Sequence, residues 1–451
     1  MNDIQNLLSK AGCQQIENNI DIEIGDSKIN FDAVGYINQK PVIGIDLKNN
    51  KGIGILSKLS NCDKIEFYGI VNQEKNETEW YQLIGGNITQ LNKLPIINYE
   101  KGIEIEELVF WIEKVIESIH MNESISILEI LIETAKIIVF KIESEIRSNK
   151  NDDINVLKEQ LYSFIDDNND LEDIKLRDKT LEEIFPILND ISLSSIEPQH
   201  ILDAFDRVIF KTRNKSQGEF IIPEIITKIT KTIFKKYINE IDNFFDGSSG
   251  IGQFLTMVKS VNEEVATYGM DYNQRIVNIA KLRSLIANQN SCIKLHDSLD
   301  FKDDKYENMP KKFDLIITSP SFGRRISNRD ILNNYELADK ATKSEALYIE
   351  LYIKMLRAGA YLGTVVPEGL LTNSRDKNVR EYILNKTILK AVISLPEGIY
   401  RPYTAIRTSI LILKKKTTKN EIQEDVFMAS PENIEELNKV IDELEDWEGL
   451  F

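Results

Sequence analysis

The spacing of apolar positions divides the chain into stretches of different period. Over the first hundred residues, short β-branched runs dominate: IDIEIG, KINFDAVGYI, KPVIGIDLK and KIEFYGIV. Runs of this length and composition read as strands. Asn38-Gln39 separates two of them as a tight turn. Helices are expected over residues 4–10 and near residues 54–62, so 1–97 reads as a small α/β domain. Over 98–216 the period becomes helical, in EIEELVFWIEKVIESI and ISILEILIETAKIIVFKIESEI, interrupted by polar RSNKNDD. This is a helical domain.

From residue 217 apolar strands alternate with amphipathic helices: IDNFF, VATYGMD, CIKLHD, FDLIITSP, YLGTVVP, LKAVISLP and SILILKK. That alternation predicts a doubly wound, largely parallel, Rossmann-like α/β sheet over 217–416. The segment 417–451 holds a strand-like VFMA, then an acidic helix begun by Ser430-Pro431-Glu432, with serine as cap and proline at the first helical position.

Composition narrows the function classes. Lys+Arg number 55 and Asp+Glu 72 over 451 residues, a net charge of −17. Phosphate contacts need clustered Lys and Arg, so a generalised basic surface for nucleic acid is excluded, and any such role needs a local basic patch or a partner. Cys13, Cys62 and Cys292 are far apart, which argues against a zinc ribbon or a disulfide framework and suits a reducing cytoplasm. No signal-like start and no membrane-length apolar run occurs. His120, His200 and His296 are too scattered for a metal cluster and are expected to be structural.

The first strand of the α/β segment runs into Asp246-Gly247-Ser248-Ser249-Gly250-Ile251-Gly252 and directly into a helix. Gly250 and Gly252 permit backbone angles closed to other residues. A strand, a glycine turn and a helix N-terminus make a nucleotide-type pocket at the carboxyl edge of a sheet. Asp271 ends the next strand, where a carboxylate accepts from ribose hydroxyls. Asp297 ends the third, within reach of a base amino group. Nothing matches GxxxxGK[ST], which disfavours a P-loop NTPase.

The segment Phe313-Asp314-Leu315-Ile316-Ile317-Thr318-Ser319-Pro320-Ser321-Phe322-Gly323 resembles the DLIxxNPPFG strand of amino-directed DNA methyltransferases. It is most similar to the modification subunit of type I restriction-modification systems. Gly218–Pro223 resembles that family's GxFxTP segment, and FDGSSGIGQFL its DPACGSGGFL loop. LGTVVPEGLL and VISLPEGIYRPYTAIRTSILILKKK resemble its late segment, and TAKIIVFKIESEI its helical N-terminal part.

The resemblance implies S-adenosylmethionine as cofactor and transfer of its methyl group to a base amino nitrogen, adenine N6 first. Phe220 would line the cofactor pocket. Asp246, Gly250 and Gly252 would hold the methionine end, Asp271 the ribose and Asp297 the adenine. Ser319 and the Pro320 carbonyl would accept from the amino group of a flipped base, Ser321 would continue the turn, and Phe322 would stack on the base. Several positions depart from the family pattern. Ser319 replaces Asn, Ser321 the second Pro, Ile222 a Thr, Gly247 a Pro and Gln253 a Gly. A catalytically degenerate, cofactor-binding scaffold or sensor of a defence complex is therefore the second reading.

In the first domain, Asp32 followed by Asp46-Leu47-Lys48 resembles the PD-(D/E)xK nuclease core of restriction subunits. That resemblance implies Mg²⁺ at Asp32 and Asp46, with Lys48 as the nuclease lysine. The residues after Lys416 are expected to be too few for a target-recognition domain. Specificity would then come from a separate subunit, beside a restriction subunit in the fuller reading, or the enzyme would have little specificity. Arg324, Arg325, Arg329, Arg401 and Arg407 are expected to touch DNA phosphates near the target pocket.

Overall fold

The structure is a computed structural model. In the first part of the chain it describes residues 7–8, 13, 15–24, 27–37, 40–47, 59, 65, 67–72, 77–84 and 87–91. In the second it describes 104–147, 154–167, 172–193, 196–212, 221–300, 306, 309–338, 343–401 and 404–447. The chain forms two compact units, Met1–Ile103 and Glu104–Phe451. The expected helices at 4–10 and 54–62, and the turn at Asn38-Gln39, fall largely outside the described residues.

The first unit is a six-stranded sheet whose strands lie in chain order: β1 (Gln15–Ile24), β2 (Ser27–Ile37), β3 (Lys40–Leu47), β4 (Phe67–Asn72), β5 (Glu77–Ile84) and β6 (Asn87–Leu91). Neighbours pair antiparallel except β3 and β4, which are parallel. β5 and β6 were not foreseen: ETEWYQLI and NITQL are polar enough to read as loop. Trp80 of β5 is nonetheless buried, packed with Leu8, Ala33, Ile43, Ile45 and Val71.

The second unit holds an eight-stranded sheet. Its strands are β7 (Asn243–Asp246), β8 (Ala266–Asp271), β9 (Ser291–Leu295), β10 (Phe313–Thr318), β11 (Leu356–Pro367), β12 (Thr387–Ser394), β13 (Thr408–Lys415) and β14 (Phe427–Ala429). The order is β14-β12-β13-β11-β10-β7-β8-β9. The five strands from β9 to β11 are parallel, and β13 runs antiparallel to both β11 and β12. β7 and β10 are neighbours from which the chain winds outward in opposite directions. Such a switch point opens a crevice at the carboxyl ends of the strands. Separate apolar clusters cover the two faces, one around Phe234, Phe254 and Ile412, the other around Phe245, Tyr352 and Leu413.

A helical layer precedes the sheet. Ile127–Arg147 packs against Gln274–Ile286, a helix of the sheet's own outer layer, and Ile105–Asn122 packs against Pro198–Thr212. Trp111 closes this layer by donating from its indole N–H to the Ile187 carbonyl at 2.8 Å. The last helix, Ile434–Asp446, starts later than Ser430-Pro431 suggests. Its cap is Asn433, whose Oδ1 accepts from the Glu436 N–H at 2.9 Å, while the Glu436 carboxylate accepts from the Glu432 N–H at 2.9 Å. Two satisfied end donors favour that start. Among the described residues, no helix is long and apolar enough to cross a membrane.

Candidate active site

The carboxyl ends of β7, β8 and β10 deliver the predicted residues to one crevice. Asp246 ends β7 fully buried. Its Oδ1 accepts from the Ser248 N–H at 3.0 Å, and its Oδ2 has no hydrogen-bond partner. Burial pushes its pKa up to about 7, against the pull of the Ser248 amide and the neighbouring Thr318 hydroxyl. The loop then turns through Gly250 and Gly252, at φ 51° and 78°, angles that a Cβ strains. Gly247 answers a steric demand as well: a Cβ there would meet a Tyr352 ring carbon at 2.8 Å.

Asp271 holds this loop. Its Oδ2 accepts from the Gly250 N–H at 3.3 Å and its Oδ1 from the Asn273 N–H at 2.9 Å. Burial pushes its pKa up to about 6, helped by the neighbouring charge of Asp297 and opposed by these amides. The rest of the crevice is lined by Ser248, Tyr272, His296, Asp297, Ser319 and Tyr348. Phe220 lies outside the described residues.

Two of the departures from the family pattern meet. The Gln253 side chain donates to the Ile222 carbonyl at 2.9 Å and accepts from the Ile222 N–H at 2.6 Å. A glutamine at the start of the loop helix thus pins the segment leading into the sheet. A glycine there lacks the amide to do so.

β10 leads into Ser319-Pro320-Ser321-Phe322-Gly323. Ser319 Oγ lies 2.9 Å from the Tyr400 hydroxyl, and the Tyr400 and Phe322 rings meet edge to face at 5.8 Å. Serine in place of the second proline would loosen the turn, but the N-terminus of the helix Ser344–Met355 fixes it. Ser344 Oγ donates to the Ser321 carbonyl at 3.3 Å, and the Gly323 N–H donates to Glu345 at 2.7 Å. Tyr400 was missed by sequence reasoning. Its only sequence signal is an aromatic within GIYRPY, with nothing to mark Ser319 as its partner.

The expected basic rim is only partly free to face DNA. Arg325, Arg329 and Arg401 are exposed. Arg407 pairs with Glu397 at 3.3 Å, and Arg324 turns into the crevice to pair with Asp297 at 2.5 Å.

In the first unit Asp32 and Asp46 bridge adjacent strands. Asp46 Oδ1 accepts from the Asp32 N–H at 3.0 Å, and Asp32 Oδ2 from the Leu47 N–H at 2.7 Å. Asp46 Oδ2 accepts from the Tyr68 hydroxyl at 2.8 Å. Both oxygens of Asp46 are therefore engaged. Among the described residues no group of three acidic, histidine or cysteine side chains is placed to hold a metal. This geometry gives the expected Mg²⁺ no support: two carboxylates committed to backbone and tyrosine donors are a poor set for a hard cation that needs several oxygen ligands. Lys48 lies outside the described residues.

A mixed sheet with its glycine loop and strand-end acids at the switch point is a Rossmann-like, cofactor-dependent α/β enzyme fold. The same fold is found in a Listeria monocytogenes protein described as a class I S-adenosylmethionine-dependent methyltransferase. The match has a TM-score of 0.60 at 17% identity and covers 76% of this chain and 98% of that one. The family model "N-6 DNA Methylase" matches residues 201–447, and the chain belongs to that family. The methylase subunit of the Escherichia coli type I restriction enzyme EcoEI is 23% identical over 257 residues, which are 54% of this chain and 52% of that subunit. The chain thus spans about half the length of the curated relatives it matches. The type IIG restriction endonuclease BpuSI matches 98% of this chain and 59% of its own, with a TM-score of 0.51 at 13% identity.

The crevice fits S-adenosylmethionine in its chemistry. It offers two acids, Asp271 and Asp297, beside the Tyr272 ring, next to a loop of open backbone angles, with the buried Asp246 carboxylate at the end of the strand that enters that loop.

Proposed function

We propose that the chain is an S-adenosylmethionine-dependent DNA methyltransferase of a restriction-modification system, acting on the N6 amino group of a flipped adenine. The single observation that carries this reading is that Asp271, Asp297 and Ser319 line one crevice beside the Gly247-Ser248 turn, with Ser319 held by the Tyr400 hydroxyl. When bound, the cofactor supplies an electrophilic methyl group. Asp246 and the Gly250–Gly252 loop would take its amino-acid end, Asp271 its ribose and Asp297 its adenine.

The remaining work falls to the turn after β10. An exocyclic amine is a weak nucleophile because its lone pair is delocalised into the ring. Acceptors at its N–H bonds draw it toward tetrahedral geometry and localise that pair. Whichever hydroxyl of the Ser319–Tyr400 pair donates, Ser319 Oγ keeps a lone pair for one N–H, and the Pro320 carbonyl takes the other. Phe322 would stack on the base. The departing proton needs no dedicated base, because the amine becomes strongly acidic only once methylated.

Specificity is assigned to a separate subunit, DNA affinity to the complex with it, and the functional division to 1–97, 98–216, 217–416 and 417–451. The first segment is read as a nuclease-like fold, supported by the extent of the BpuSI match. A restriction subunit remains a further partner of this reading.

Tritiated cofactor, DNA and the chain purified with its specificity partner test the proposal. Label at adenine N6 is expected. No label in DNA despite intact cofactor binding would refute methylation and favour the sensor reading. Tyr400→Phe is expected to lower kcat about tenfold with little change in cofactor KM, since it removes one hydrogen bond from the acceptor rather than from the cofactor pocket.

A further inference from the structure

Arg324 reaches Asp297 at the crevice, and the proposed chemistry gives it no role. It follows the turn after β10 and its stem points inward. Its Nη2 donates to Asp297 Oδ2 at 2.5 Å, and its guanidinium carbon lies 5.0 Å from the centre of the Tyr272 ring. A planar group stacked on an aromatic face, with an edge N–H on a carboxylate, makes the two contacts that an amino-bearing heterocycle would make there. The space left is about 10 Å³, lined by Gly247, Ser248, Asp271, Tyr272, Asp297 and Ser321 among others. That is room for about one water, so a nucleoside cannot share the site with this side chain.

Arg324 is also imperfectly housed. Its Nη1 is buried without a hydrogen-bond partner. A buried unpaired donor on a charged group is costly, so the arrangement is easily displaced by a ligand that satisfies Asp297 better. The side chain keeps about a third of its surface exposed (33%), which gives it an exit. It sits next to exposed Arg325 and a few residues before exposed Arg329, on the turn that would receive the target base. Gly323, at φ 76° with open space where a Cβ would be, precedes it.

We propose that Arg324 is an internal occupant of the adenine subsite, exchanged between Asp297 and DNA phosphate as cofactor and DNA bind. The inference rests on the methyltransferase reading above. Adenine displaces the guanidinium from Tyr272 and Asp297. The freed fork then meets a phosphate oxygen pair beside Arg325, a bidentate contact that guanidinium favours. Each ligand thereby favours the other, and the coupling is reciprocal. The arrangement also keeps this arginine off DNA phosphates while the subsite lacks an adenine.

Calorimetry with S-adenosylhomocysteine as probe tests this on the full chain. Arg324→Ala is expected to bind the probe at least about fivefold tighter than wild type. Arg324→Met, which keeps the apolar stem, is expected to change affinity in the same direction. With the chain purified in complex with its specificity partner, a duplex oligonucleotide should tighten probe binding to the wild type and not to Arg324→Ala. Wild-type binding that both variants leave equal or weaken would overturn this inference alone, since Arg324 would then be a fixed wall that positions Asp297. Absence of binding by wild type and variants alike would overturn the cofactor reading and this inference with it.

Discussion

Replacing Asp246 by Asn is expected to stabilise the fold at alkaline pH while weakening cofactor binding by tenfold or more. Asp246 is fully buried, its Oδ2 is unpartnered, and burial raises its pKa from 3.8 to about 7. Below the unfolded value the carboxyl is neutral in both states and has no effect. Between 3.8 and about 7 the unfolded chain has lost the proton and the folded chain retains it, so stability falls as pH rises. Above that window the full penalty persists, at most about 4 kcal/mol from the size of the shift. Asn never ionises. Urea unfolding should therefore show the variant ahead by about 1–3 kcal/mol at pH of about 8.5, with the difference shrinking toward pH of about 5. Equal stabilities across that range would show that Asp246 is not strained. Cofactor affinity should run the other way in the wild type. The ligand's ammonium favours ionised Asp246, so affinity should rise by up to about tenfold per pH unit below pH 7 and then level off. Asp271, raised to about 6, steepens that dependence below pH of about 6. The variant should lose the part of the slope between these two values.

The second large effect is expected at Arg283, a buried link between the helical layer and the Gly250–Gly252 loop. It lies on Gln274–Ile286 and is 1% exposed. Its Nε and Nη2 donate to the two oxygens of Asp206, on Pro198–Thr212, at 2.7 and 2.6 Å. Its Nη1 donates to the carbonyl of Ile251, between the two loop glycines, at 2.5 Å. Arg283→Met leaves Asp206 as a largely buried carboxylate without its cation and leaves the Ile251 carbonyl without its donor. Breaking one side of such a pair costs about 3–5 kcal/mol when both groups are buried. Asp206 keeps 19% of its side-chain surface exposed, so about 3 kcal/mol is expected in the urea midpoint. Arg283→Met with Asp206→Leu should recover most of it, because no charge is then left unpaired. A single variant as stable as wild type would mean that the pair contributes nothing net. The same contact gives the helical layer a functional consequence, since the layer holds the guanidinium that fixes the loop backbone.

The readable part of the molecule was what short-range pattern encodes. Period-two and continuous apolar runs marked β7, β8, β10 and β11. Asp246 and Asp271 end their strands as the pattern predicts, while Asp297 lies two residues beyond the end of β9. The turn Ser319–Gly323 and the two loop glycines were visible as types of residue at a fixed spacing. The less readable parts each depended on a partner distant in sequence. β5 looked polar because Glu77, Thr78, Glu79 and Gln82 dilute its apolar positions, yet Trp80 packs into one apolar cluster and Leu83 into another. Tyr400 is 81 residues from Ser319, and Gln253 is 31 residues from Ile222. The substitution at Ser321 looked damaging until Ser344 and Glu345 supplied the rigidity that a proline ring would have given.

Sequence by itself thus determined the order of the elements, the chemical types available at the strand ends and the family resemblance, because local backbone preference and residue spacing are properties of neighbouring residues. Tertiary structure decided where those types point. It sent Arg324 inward to Asp297, against the expectation that all five arginines would face DNA. It spent the oxygens of Asp46 on neighbouring donors, and it joined the helical layer to the Gly250–Gly252 loop through Arg283. The reason is common to all three. A buried charged group is held by the partners packed around it, and those are assembled only when segments distant in sequence are brought together.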